Sequence, residues 1–120
     1  MHKRHDITDK EDVQILIDKF YTKVLKDDLL APVFSAVDWE HHTPVIVDFW
    51  CMVLLGDQTY KGNPFQKHAS LSISMDHFNR WLDLFFKTID ENFEGEVAKQ
   101  ARLRAKNIAD IFQFKLGLIQ

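Results

Sequence analysis

The 120-residue sequence holds a single cysteine, Cys51, which excludes an internal disulfide and any cysteine-based zinc site. A lone thiol fits a reducing compartment. Four glycines and three prolines are too few for the many turns of an all-β fold. No apolar run reaches the roughly 18 residues that read as a membrane span. The stretch from Met1 to Lys10 is polar and charged, so it does not read as a signal peptide. Neither acids nor bases dominate. Fifteen Lys and Arg are interspersed with 18 Asp and Glu, for a net charge of −3. There is no basic face for nucleic acid and no like-charge tail. These absences predict one soluble, cytoplasmic domain over residues 1–120, with no nucleic-acid partner. Residues 1–8 are expected to be disordered or extended.

Apolar residues are plentiful at 46%, and aromatics reach 12%, ten of them Phe. Either a large core or a large flat apolar ligand accounts for that supply. The apolar spacing predicts four long helices and no strand. The first spans Lys10 to Lys26, opened by a Thr8–Glu11 capping box, with Val13, Leu16, Ile17, Phe20 and Val24 on its apolar face. Tyr21 stands on the edge of that face. Leu29, Leu30, Val33 and Phe34 form an apolar corner around Pro32. The second helix spans Asp38 to Leu55 and stops at Gly56, with Ile46, Phe49, Trp50 and Val53 as its stripe. Pro44 suits only a first turn, so that helix is expected to start nearer His41 or to bend. After a loop, Asn63-Pro64 reads as N-cap and first residue of a two-turn helix to Leu71. The third long helix runs from Met75 to Phe93, capped by Ser74, with Phe78, Trp81, Leu82, Phe85 and Ile89 as its stripe. The fourth runs from Glu96 to Leu116, with Val97, Ala101, Ala105, Ile108 and Phe112 on one face and Gly117 as its cap.

Cys51 sits inside an apolar helical stretch and reads as a buried, inert thiol. Among six histidines, His2 and His5 lie in the polar N-terminus and His77 beside a helix cap. His42 continues the apolar stripe of its helix through Ile46, Phe49 and Val53, while His41 points outward. His42 is either a rim residue of the core or a residue facing a ligand. His68 lies on the apolar face of the short helix, between Phe65 and Leu71. It is either a satisfied core residue or a metal ligand, and a ligating imidazole needs an acceptor for its other N–H. Tyr21 and Trp81 carry polar tips on core faces. Their hydrogens go either to a backbone carbonyl or to a bound ligand. Zinc, nucleotide, hydrolase and covalent-haem motifs are missing.

The stretch Tyr60-Lys61-Gly62-Asn63-Pro64-Phe65-Gln66-Lys67-His68 resembles the proximal region of truncated haemoglobins. Phe78-Asn79-Arg80-Trp81-Leu82-Asp83-Leu84-Phe85 resembles the helix that follows it in that family. Phe20-Tyr21, Phe49-Trp50 and Leu54-Leu55-Gly56 match as well. The pattern is most similar to group III, whose members lack the glycine-pair motifs of other truncated globins, as this chain does. The resemblance runs from about Thr8 to Phe112. It implies an all-α, globin-like fold, a truncated two-over-two helical sandwich. It also implies haem b as cofactor, with His68 as the iron ligand. Tyr21 and His42 correspond to the distal residues, and Trp81 to the tryptophan lining the distal pocket. Phe34 corresponds to a phenylalanine packed on the haem, and Ile46 to an apolar distal position. Phe65 and Lys67 flank the ligand, with Lys67 a candidate for a haem propionate and Arg104 a weaker one.

The resemblance implies binding of O2, NO and related diatomics. A hydrogen bond to a charged acceptor contributes about 1.5–3 kcal/mol, and each 1.4 kcal/mol is tenfold in affinity. Two donors, Tyr21 and Trp81, would then slow O2 release by roughly two to four orders of magnitude. That suits O2, NO or peroxide chemistry, or sensing, better than bulk transport. Two alternatives stand beside this reading. One is a haem-dependent peroxidase or reductase fed by a partner reductase, so enzymatic activity of NO dioxygenase or peroxidase type stays open. The other is a haem-free helical binding module.

Overall fold

The computed structural model describes residues 4–35, 37–57 and 74–118. Among them lie four α-helices, which we label α1 (Lys10–Val24), α2 (Trp39–Leu55), α3 (Met75–Asn92) and α4 (Glu96–Lys115). A short 3-10 turn, Ala31–Phe34, joins α1 to α2. Among the described residues there is no strand, only an isolated bridge between His5 and Phe93. The helix pair α1–α2 packs over the pair α3–α4 through contacts of α1 with α3 and of α2 with α4. This is the two-over-two sandwich expected from the resemblance. No described helix is long and apolar enough to cross a membrane.

The predicted stripe of α1 is its buried face: Val13, Leu16, Ile17, Phe20 and Val24. Its start differs from the expectation. Asp9, not Thr8, is the N-cap, accepting from the Asp12 backbone N–H at 3.0 Å. The Asp12 carboxylate then reaches back to the Thr8 backbone N–H and hydroxyl, each at 2.9 Å. A carboxylate one residue later competes better for the orphan N–H groups than the Thr hydroxyl does, and it suits the positive end of the helix dipole.

Two other buried faces are rotated from the predicted ones. On α2 the core residues are Val47, Trp50 and Cys51, while Ile46, Phe49 and Val53 stay half-buried beside them. On α4 the core line is Ala98, Ala101, Ala105 and Ala109, with Val97, Ile108 and Phe112 flanking. Small side chains take the places of closest approach, so a ranking by side-chain size misplaces the centre of the face. Pro44 neither ends α2 nor delays it, because the helix is continuous from Trp39 to Leu55. The missing N–H spares only the Glu40 carbonyl, and Glu40 is exposed to water.

Helix ends follow the punctuation of the sequence. Gly56 takes a left-handed φ of 74° at the end of α2. Ser74 caps α3 in a box closed by His77, whose Nδ1 accepts from the Ser74 backbone N–H at 3.0 Å. Beyond α4, Gly117 has φ 77°. There Leu118 N–H donates to the Gln113 carbonyl at 2.9 Å and Gly117 N–H to Phe114 at 3.1 Å, which is a Schellman turn.

The fourth helix takes its N-terminal cap from the far end of the chain. Asp6 accepts from the backbone N–H of Val97 at 2.9 Å and of Ala98 at 2.8 Å. Ile7 beside it is 1% exposed. Gly95 is required at this crossing, since a Cβ there would stand 2.6 Å from the Asp6 carboxylate and its φ is +131°. Burial pushes the Asp6 carboxyl up. Backbone hydrogen bonds from Val97, Ala98, Ile7 and Glu96 outweigh that and hold it below the ordinary carboxylate value. Asp6→Ala is expected to cost about 1 kcal/mol, the usual worth of a cap. A carboxyl depressed in the folded state stabilises above its unfolded pKa near 4, and loses that contribution as pH falls through the folded value. Thermal unfolding should therefore separate Asp6→Ala from wild type at neutral pH. The gap should shrink in acid, and a gap unchanged at low pH would show that the charge of Asp6 is not its source.

Candidate functional site

Three elements bring a group of aromatic and polar side chains to one wall. The last turns of α1 present Tyr21, the 3-10 turn presents Phe34, and the first turn of α2 presents Trp39 and His42. Tyr21 lies 4.8 Å from Trp39 and 6.0 Å from Phe34, ring centre to ring centre. Phe34 and Trp39 are 5.9 Å apart. Trp39 meets His42 edge-on at 5.9 Å. Trp81 arrives from α3 and packs edge-on against Phe20 at 5.4 Å. The sequence reading thus placed Tyr21, Phe34, His42 and Trp81 in one neighbourhood, and the structure brings these residues together. It adds Trp39, which sequence reasoning missed. Trp39 is hidden in the polar run Asp38, Glu40, His41, and its three-residue spacing to His42 was the available signal.

Each tip has a defined environment. Burial pushes the Tyr21 phenol up to about 12, and a side-chain hydrogen bond with Trp81 opposes that rise. An indole N–H can only donate, so an interaction between the two tips runs from Trp81 to the Tyr21 oxygen. Tyr21 therefore stays a neutral O–H donor at any ordinary pH. His42 is half-buried at the start of α2, and Ile46 and Phe49 continue its face half-buried. His41 points outward as expected, with Nδ1 2.8 Å from Asp38 Oδ2 on the exposed side. Cys51 is buried, and burial with added push from Asp57 and Asp48 raises its thiol pKa, which suits an inert role.

Other expected site residues fall elsewhere. His68, Phe65 and Lys67, with the short helix from Pro64 to Leu71, lie outside the described residues. Arg104 was read as lying on the apolar face of the last helix. It is instead exposed, because the alanine line turns that face away from it.

Comparison with known proteins gives a consistent result. Residues 5–113 match the family model described as bacterial-like globin. The chain is 32% identical to the group 3 truncated haemoglobin ctb of Campylobacter jejuni over 92% of both chains. It is 33% identical to a group 1 truncated haemoglobin of Tetrahymena thermophila, over 67% of this chain and 71% of that one. Among solved structures, the group III truncated haemoglobin of Campylobacter jejuni superposes with a TM-score of 0.86 at 32% identity, covering 95% of each chain. The truncated haemoglobin of Tetrahymena pyriformis in its Fe(III) form superposes with a TM-score of 0.71 at 24% identity, covering 92% of each, which speaks for the fold.

Proposed function

The chain belongs to the bacterial-like globin family, among truncated haemoglobins most like group 3, and from that premise we propose that it holds haem b through His68 and binds O2 and related diatomic ligands beside Tyr21. Globins bind haem, and the residues of the wall fit such a group. Phe34, Trp39, Ile46 and Phe49 offer aromatic and aliphatic surface packed against the core, three of them only half-buried, as a flat apolar ring needs. The donor set is neutral: a phenol held protonated and an indole. Haem iron, when bound, supplies the position for a small ligand. His68 is the residue to hold it, and Lys67 to meet a propionate.

The observation that carries the ligand chemistry is the coupling of Trp81 to Tyr21. Trp81 opposes the rise in the Tyr21 pKa, and an indole N–H shared with the phenol oxygen would polarise the O–H and make it a stronger donor toward a ligand carrying partial negative charge. Tyr21 is then the donor that meets the ligand, and Trp81 acts through it. His42, packed on Trp39, stands at the rim as a gate between pocket and solvent. Retention by such a donor favours O2, NO or peroxide chemistry or sensing over bulk transport, with any electrons supplied by a partner reductase.

An absorption spectrum of the haem-reconstituted protein beside a His68→Ala variant tests this. Wild type is expected to show a Soret band that weakens or shifts in the variant. Absence of haem uptake by wild type would overturn the reading and leave a helical binding module.

A further inference from the structure

Outside the aromatic wall, two ion pairs among the described residues join the elements that carry Tyr21 and Trp81: Lys23 with Glu91 at 2.8 Å, far along α3 from the indole, and Asp27 with Arg80, next to it. Asp27 follows α1 six residues beyond Tyr21, and Arg80 immediately precedes Trp81 on α3. Arg80 Nη1 donates to Asp27 Oδ1 at 3.0 Å. The other carboxylate oxygen accepts from the backbone N–H of Leu29 at 3.1 Å and of Leu30 at 3.0 Å. The Asp27 carbonyl accepts from Ala31 N–H at 2.8 Å. The Asp27 side chain is 10% exposed and that of Arg80 50%. The buried carboxylate is therefore fixed by the turn that leads into Phe34, and the half-exposed guanidinium brings α3 to it.

The apolar contacts of Trp81 are an edge against Phe20 at 5.4 Å and a stack. Its ring lies flat on Phe85, 5.3 Å between centres and 5° between planes. Stacking sets the plane of a ring more firmly than its position within that plane, because dispersion contacts are individually weak and exchange as the rings slide. The alignment of an N–H on its acceptor, by contrast, weakens steeply with angle. A directional contact one residue from Trp81 supplies what the stack does not.

We propose that the Asp27–Arg80 pair is a positioning device that sets α3 against the end of α1 and so fixes the alignment of the Trp81 indole beside Tyr21. Its consequence for ligand release rests on the donor role proposed for Tyr21; the alignment itself does not. Two kinds of variant separate the device from general stability. Asp27→Asn keeps an oxygen for the Leu29 and Leu30 N–H groups but removes the charge. Arg80→Gln removes the cation, and Arg80→Lys restores it.

The first readout is the indole N–H resonances of the 15N-labelled protein, with the Trp81 signal identified by its loss in Trp81→Phe. Asp27→Asn and Arg80→Gln are expected to move the Trp81 resonance and leave that of Trp50 in place, while Arg80→Lys returns it toward wild type. The second readout is O2 dissociation. Arg80→Gln is expected to speed release severalfold, and to add nothing in a Tyr21→Phe background. An unmoved Trp81 resonance overturns the proposal, and so does an equal movement of all three indoles. If Tyr21→Phe leaves O2 release unchanged while Trp81 still responds to Arg80, the donor role fails and the positioning stands.

Discussion

Replacing Tyr21 by phenylalanine is expected to raise the O2 dissociation rate of the haem-loaded protein by roughly one to two orders of magnitude. The substitution keeps the ring against Trp39 and Phe34 and removes one hydroxyl. A hydrogen bond to a charged acceptor contributes about 1.5–3 kcal/mol, and 1.4 kcal/mol is a factor of ten. Trp81→Phe should give a smaller increase, and none beyond that of Tyr21→Phe in the double variant, because Trp81 works through the phenol. Two independent donors would give additive effects instead. The pH dependence follows from the same burial. With the phenol pushed up to about 12, release in wild type should stay flat through the neutral and mildly alkaline range. The sign for stability is the alkaline one. A phenol raised in the folded state stabilises fully below the unfolded value of about 10, and the contribution is lost as pH rises from there through about 12. Stopped-flow release rates across pH check the first statement, and unfolding across alkaline pH checks the second. An off-rate unmoved by Tyr21→Phe would remove Tyr21 from the donor role.

The parts of this arrangement that could be read from the sequence share a physical basis. Helix ends were legible where one residue type answers a local need. Gly56 and Gly117 take left-handed backbone, and Ser74 caps an exposed turn. Tyr21 and Trp81 stood out because a polar tip beside an apolar face is unusual. The turn of α2 and α4 about their axes was not legible. Ile46 and Phe49 are bulkier than Val47 and Cys51, yet the smaller pair lies deeper. Periodicity finds the direction of an apolar face only to within neighbouring residues, and packing distance between helices decides the rest. Asp6 was beyond reach for another reason. Its partners Val97 and Ala98 lie 91 and 92 positions away, so no local pattern announces them. The same holds for Asp27 and Arg80, 53 positions apart. Residues that do long-range work with ordinary charged side chains look like solvated surface until the helices are placed.

Truncating Phe85 to alanine is expected to cost about 3–5 kcal/mol, the range for removing a buried phenylalanine. Phe85 is 0% exposed. It meets Phe20 of α1 edge-on at 4.9 Å, stacks with Trp50 of α2 at 4.9 Å, and underlies Trp81 at 5.3 Å. One ring thus joins three helices, and rigid aromatic neighbours on all sides restrict collapse into the space it would leave. Small domains hold about 5–15 kcal/mol in all, so the loss is a large part of the whole. Phe114, 64% exposed on α4, supplies the contrast. Phe114→Ala should change stability by no more than about 0.5 kcal/mol. Urea unfolding of the two variants under identical haem loading checks the pair. A Phe85→Ala loss near that of Phe114→Ala would mean that the three helices do not meet at this ring. Phe85→Leu extends the argument to function. It fills most of the space but replaces a flat floor with a branched one, so the Trp81 ring loses its stacking plane. That variant should therefore unfold later than Phe85→Ala and still release O2 faster than wild type, since filling the core and holding an indole flat are separate demands on one side chain.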